Sequence, residues 1–204
     1  MDQREHWDAV YAARRPDEVS WYQTEARLSL ALIRDAAPDL SSRILDVGGG
    51  ASTLVDGLLS AGYEHVTVLD LSPIALRHAQ QRLGAAAARV AWVEADILVA
   101  DLPRDGYDLW HDRALFHFLT EAADRRRYVA QVRQSVRAGG HLLVATFAED
   151  GPVRCSGLMT KRYTPEALHA EFGDGFQLLE SRREVHVTPS GSPQAFVYCL
   201  CSVT

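Results

Sequence analysis

The chain has 204 residues, 47% hydrophobic and 24% charged, enough to bury one core without disulfides or metals to hold it. Lys and Arg number 21 against 27 Asp and Glu, for a formal net charge of −6. The basic residues are dispersed, which argues against a nucleic-acid partner. No apolar run approaches the roughly 18 residues of a membrane span, and MDQREHWDAV is too charged for a secretory signal. A cytoplasmic protein without a membrane partner is expected, and a monomer or homodimer fits equally well. Cys199 and Cys201 alternate within AFVYCLCSV and Cys155 stands alone, so no disulfide framework is read.

In chain order, EARLSLALIRDAA has apolar residues at helical spacing and stops before Pro38. SRILDVGGG is a short apolar run ending in glycines, which predicts a buried strand and a tight turn. STLVDGLLSAG predicts a helix closed by Gly62, and HVTVLDLS a second buried strand. SPIALRHAQQRLG predicts a helix with Ser72 as N-cap and Pro73 in its first turn, with GAAAAR as its Ala-rich end. ARVAWVEADI and GYDLWHD are the third and fourth strands. EAADRRRYVAQVRQSVRAGG is an amphipathic helix ending at a Gly pair, and HLLVATF is the fifth strand.

Strands alternating with helices imply right-handed crossovers and a parallel, doubly wound α/β sheet with helices on both faces. After Phe147 a loop and the helix TPEALHAEFG lead to FQLLESRREVHVT and QAFVYCLCSV, joined by PSGSP. These predict an antiparallel C-terminal strand pair closing a seven-stranded, mostly parallel sheet. One domain over 1–204 is expected, with residues 1–40 as an N-terminal lid, 41–147 as the cofactor-binding half and 148–204 as the substrate side.

Ligands of such folds bind beyond the carboxyl ends of the strands. The first strand ends in Asp46-Val47-Gly48-Gly49-Gly50, where glycines allow close approach of backbone to ligand. Asp70, ending the second strand, is placed to accept both hydroxyls of a ribose, and Asp96, ending the third, to meet an adenine amine. Either acid alone also fits a helix N-terminal acid or a turn residue. A nicotinamide dinucleotide site requires Gly-x-Gly-x-x-Gly here, and Thr53 replaces the third glycine.

Asp-x-Gly-x-Gly, followed by acids at the ends of the next two strands, resembles the class I S-adenosylmethionine (SAM)-dependent methyltransferases over nearly the whole chain. SWYQ, HDRALFHFL and CSGL together are similar to a group of small bacterial methyltransferases of generic type. The resemblance implies SAM as cofactor and S-adenosylhomocysteine as product. It places Gly48 and Gly50, in the turn that Asp46 opens, near the methionine part, Asp70 at the ribose and Asp96 at the adenine. Leu71 and Ile97 then make apolar contacts to adenine.

In that fold the fourth strand ends beside the transferred methyl group, which accounts for the polar run His111-Asp112-Arg113 between apolar neighbours. Methyl transfer is an in-line displacement that needs an aligned nucleophile and excluded water. His111, with Asp112 and His117, are the candidate catalytic groups for positioning or deprotonating the acceptor; a helix-borne His117 also reads as a packing residue. Trp21 and Tyr22 are expected to face inward from the lid, with Arg113, Cys155 and His186 on the substrate side. Arg154, Lys161 and Arg162 around Cys155 would favour its thiolate, although a buried inert cysteine fits as well.

No tight His/Cys spacing of a zinc motif is present, so no metal is expected. The expected activity is methylation of a small molecule, with a thiol or other chalcogen nucleophile fitting a Cys/His-lined pocket best. The alternatives are a protein lysine methyltransferase, which Asp112 and the net acidity allow, and a non-catalytic SAM-binding subunit.

Overall fold

The computed structural model describes residues 3–204. Seven strands form one sheet: β1 (Arg43–Val47), β2 (His65–Asp70), β3 (Val90–Glu94), β4 (Tyr107–Arg113), β5 (Val136–Phe147), β8 (Phe176–Val187) and β9 (Pro193–Val203). Two short strands, β6 (Arg154–Cys155) and β7 (Leu158–Met159), pair apart from it. The order across the sheet is β3-β2-β1-β4-β5-β9-β8. The pairings among β1 to β5 are parallel, and β9 lies antiparallel between β5 and β8. Strand order reverses between β1 and β4, so the crevice of a doubly wound fold opens at their carboxyl ends.

Successive residues of a strand point to opposite faces, and the sheet sorts its core accordingly. Ile44, Leu109, Leu143 and Ala145 pack beneath α2 (Arg27–Ala36), α3 (Leu54–Ala61) and α4 (Pro73–Leu83). Leu45, Val47, Trp110, Leu142 and Val144 pack beneath α5 (Ala122–Ser135) and α6 (Pro165–Phe172). Burial on both faces explains why these strands read as unbroken apolar runs. Gly62 closes α3 at φ +98° and the Ser72 hydroxyl accepts from the Ala75 amide at the start of α4, as their positions predict.

Some boundaries differ from the sequence expectation. The helix expected to run to the Gly pair leaves helical geometry at Ser135, and Val136 already pairs with Tyr107. Val136 is β-branched and fully buried, and a Cβ on Gly140 would fall 2.7 Å from its Cγ1 and 2.9 Å from the Asp108 carbonyl. A strand crossing here fits only with glycine. The third strand stops at Glu94, leaving Asp96 and Ile97 in the turn that follows. Among the described residues no helix is long and apolar enough to cross a membrane.

Candidate active site

The glycine turn after β1 is pinned from two sides. The Gly48 amide donates to the Leu69 carbonyl at 2.7 Å, and Arg82 of α4 donates to the carbonyls of Ala51 and Ser52 at 2.8 and 2.6 Å. Gly48 and Gly50 have φ of +67° and +39°, a region that costs other residues roughly 1 kcal/mol or more. Next to this turn a cavity is lined by Gly48, Asp70, Leu71, Asp96, Ile97 and Leu115, at the carboxyl ends of β1, β2 and β3.

Asp70 is the buried charge of this cavity. Its Oδ1 accepts from the Ser72 amide at 2.8 Å, and no ion pair among the described residues reaches it. Burial therefore pushes its carboxyl up to about 7, with Asp46 and Asp8 adding to the rise. Asp96 is half-buried and its Oδ1 accepts from the Leu98 amide at 2.9 Å.

The roof comes from the N-terminal segment. Helix α1 (Gln3–Ala13) lies against α4, with Asp8 accepting from the Ser72 hydroxyl at 2.5 Å and His78 meeting the Tyr11 carbonyl at 3.1 Å. It brings Trp7 and Tyr11 to the cavity, where Trp7 packs edge-on against Trp21 (5.8 Å) and Phe118 (5.1 Å). Trp21 lines both this cavity and its neighbour. Trp7, Tyr11 and Phe118 were not singled out by sequence reasoning, although Trp7 and Tyr11 stand four apart, one helical turn, in HWDAVY.

A second cavity adjoins the first through shared Tyr11, Trp21, Gly48 and Arg113. Asp46, His111, Tyr22 and Ser29 also line it. His111 Nδ1 lies 2.7 Å from Asp46 Oδ1 and Nε2 lies 2.9 Å from Ser29 Oγ. The three side chains come from β4, β1 and α2. Ser29 was missed, yet it carried a signal, a polar residue on the buried face of α2 with Leu32 and Ile33. Arg113 donates to Tyr198 (2.9 Å) and the Trp21 carbonyl (3.3 Å), pairs with Glu184 (3.4 Å), and lies 4.2 Å over the Phe196 ring.

The fold does not bring the other candidates to this place. Asp112 follows His111 on the strand and so points to the opposite face, where it accepts from the Leu115 and Phe116 amides and from the Tyr128 hydroxyl. His117 is fully buried against Phe118 and Phe147. Its Nδ1 accepts from the Phe147 amide at 3.2 Å, and burial pushes its imidazole down to about 3, so it stays neutral. His186 bonds the Ser20 carbonyl at 2.8 Å and braces the N-terminal segment from behind.

Cys155 does line the first cavity, with Sγ 3.9 Å from Ser20 Oγ. Of its two readings the surroundings favour the inert thiol: burial raises the thiol, while Arg154 and Arg162 bond carbonyls of Gly157 and Gly151 and Lys161 pairs with Glu171. Burial also pushes Cys199 and Cys201 up, to about 12. All three are expected to react with iodoacetamide at pH 7 more slowly than free cysteine, as followed by intact-protein mass.

The sequence model of a methyltransferase-domain family matches residues 44–140, which run from β1 into β5 and include the glycine turn, Asp70 and Asp96. Residues 44–140 thus resemble a methyltransferase domain. An uncharacterized methyltransferase of Mycobacterium tuberculosis is 36% identical over 121 residues, 57% of this chain and 56% of that one. The chain thus aligns with little more than half the length of that relative. EEF1A lysine methyltransferase 2 of Homo sapiens is 25% identical over 87% of this chain and 75% of its own. Among solved structures, the one reported for "Conversion of a Disulfide Bond into a Thioacetal Group during Echinomycin Biosynthesis" has a TM-score of 0.75 at 20% identity, covering 99% of this chain and 92% of that one. That last likeness is one of fold.

The residues present fit the SAM of this family. Among the described residues Asp70 is a buried acid that only amides reach, and a ribose diol supplies hydroxyl donors for its carboxylate. A Cβ on Gly50 would fall 2.7 Å from Asp70 Oδ2 and 3.3 Å from the Tyr11 hydroxyl, filling the approach to that carboxylate. Gly50→Ala is accordingly expected to weaken SAM binding at least 10-fold by calorimetry, through both the lost space and the positive φ.

Proposed function

We propose that this methyltransferase moves the methyl group of SAM to a small-molecule nucleophile, a thiol or another chalcogen, beneath a lid formed by residues 1–40. The observation carrying this reading is the pair of adjoining cavities that meet at Gly48 and Arg113 under Tyr11 and Trp21. Asp70, Leu71, Asp96 and Ile97 hold the adenosine part in the first. Asp46, Gly48 and Gly50 border the methionine part, and the acceptor lies beside Arg113, His111 and Tyr22. SAM supplies an activated methyl group; the chain's residues bind and orient the two partners, exclude water and remove a proton.

The charge lining the second cavity supports a neutral acceptor. Arg113 is its cation, while its carboxylate, Asp46, is bonded to His111 through Oδ1. A lysine ammonium would meet the Arg113 guanidinium there, although Asp46 Oδ2 has no bonded partner among the described residues. A sulfur acceptor also agrees with the disulfide chemistry named for the fold neighbour. The second reading, protein lysine methylation, draws support from the human lysine methyltransferase relative.

The test is incubation with methyl-labelled SAM, a panel of small thiols, selenols, amines and carboxylic acids, and separately a cell lysate. Label in a small thioether or selenoether is the expected result. Label confined to macromolecules would put lysine methylation first. SAM binding without transfer to anything would leave a non-catalytic SAM-binding subunit.

A further inference from the structure

Asp46, His111 and Ser29 form a continuous hydrogen-bonded line from three elements. The spacings are 2.7 Å from Asp46 Oδ1 to His111 Nδ1 and 2.9 Å from His111 Nε2 to Ser29 Oγ. All three are buried, with relative exposures of 2%, 3% and 1%, and all three border the second cavity. Burying an acid, an imidazole and a hydroxyl together is costly unless their bonds are made. Apolar side chains would fill the same space beneath α2 without that cost.

The order of the three groups has a direction. A carboxylate only accepts, so Asp46 fixes the proton on His111 Nδ1. His111 Nε2 is then the acceptor, and the Ser29 hydroxyl donates to it. The Ser29 oxygen keeps its lone pairs for a proton arriving from the cavity. The same reasoning explains why His111 need not touch an acceptor to serve it.

We propose that Ser29 is the group that takes the acceptor's proton, with His111 and Asp46 as positioning residues behind it. The inference rests on the methyl-transfer reading and names what that reading leaves open, the destination of the thiol proton. As the acceptor sulfur forms its bond to the methyl carbon, the S–H bond breaks and its proton passes to Ser29 Oγ. The hydroxyl proton of Ser29 passes in turn to His111 Nε2. The methyl–sulfonium bond breaks with its electron pair left on the departing sulfur. His111 ends as an imidazolium held by Asp46 and loses its proton to water after product leaves.

The experiment compares wild type with Ser29→Ala and His111→Gln on an alkyl thiol, which is mostly protonated at pH 7, and an aryl thiol, which is mostly ionised there. Gln can keep hydrogen bonds to both neighbours but cannot carry a proton. Both variants are expected to lose about 100-fold or more in kcat on the alkyl thiol, less than about 3-fold on the aryl thiol, and to keep SAM affinity by calorimetry. Nitrogen-15 NMR of the cofactor-free protein is expected to show His111 protonated on Nδ1 and bare on Nε2.

An equal loss on both thiols would overturn the relay in favour of a structural role. Lost SAM affinity would reassign the line to cofactor binding, and an Nε2-protonated ring would reverse its direction. Wild-type transfer to neither thiol, with SAM bound, would overturn the methyl-transfer reading itself and the relay with it. Wild-type transfer that the variants leave unchanged would overturn the relay alone.

Discussion

Asp70→Asn is expected to weaken SAM binding about 100-fold and, in the same protein, to raise the stability of the cofactor-free state at pH 8. The two effects have one cause. As a carboxylate in a buried site, Asp70 can make two charge-assisted bonds to a ribose diol, worth about 1.5 kcal/mol or more each. Together they amount to roughly two orders of magnitude in affinity. Without the ribose, that charge is desolvated and faces no cation among the described residues, and burial pushes its pKa up to about 7 from 3.8.

Linkage fixes the sign. Between about pH 4 and 7 the folded, cofactor-free protein holds a proton that the unfolded chain has released. The stabilising contribution is present below pH 4 and lost as pH rises through about 7. Asp112, pushed up by burial to about 6, acts in the same direction over a narrower window. An isosteric amide at position 70 carries no charge to desolvate and can still accept from the Ser72 amide. Chemical denaturation at pH 5 and pH 8 is expected to show a flatter profile for Asp70→Asn than for wild type, with the variant ahead at pH 8. Unchanged SAM affinity would remove Asp70 from the ribose site, and a variant less stable at pH 8 would contradict the uncompensated charge.

The first cavity was legible because its signals are local. Glycines before a helix and acids at strand ends sit at fixed distances along the chain, and a parallel sheet brings strand ends together whatever lies between. The second cavity was less legible because it depends on which face a side chain takes. His111, Asp112 and Arg113 read as one polar cluster, but strand alternation sends Asp112 to the α5 face and leaves His111 and Arg113 on the other. That split follows from the two-residue period already visible in DLWHDR. Ser29, Glu184 and Tyr198 meet this site from 71 to 85 positions away from His111 or Arg113, and no local pattern encodes such pairings. The cations next to Cys155 in sequence likewise turn to partners of their own, and proximity along a loop did not fix their direction.

The face that Asp112 takes leads to the second large effect, Asp112→Ala, which is expected to lower stability by about 3–5 kcal/mol and the melting temperature by roughly 10 °C for a domain of this size. Asp112 is fully buried and accepts from the Leu115 amide at 2.9 Å, the Phe116 amide at 3.1 Å and the Tyr128 hydroxyl at 2.5 Å. That hydroxyl also accepts from Trp110 Nε1 at 2.8 Å, so truncation leaves two amides and one tyrosine proton unsatisfied in a dry core. The same bonds hold the turn 114–118, in which Ala114 has φ +74° and Leu115 and Phe118 enter the first cavity. SAM affinity is therefore expected to fall with stability in Asp112→Ala. Asp112→Asn separates this architectural role from a catalytic one. Its amide oxygen can keep both backbone bonds, because Oδ1 already accepts from the Leu115 amide at 2.9 Å and the Phe116 amide at 3.3 Å. Melting within a few degrees of wild type and kcat within about 3-fold are expected; a well-folded Asp112→Asn that has lost about 100-fold in kcat would return Asp112 to the chemistry.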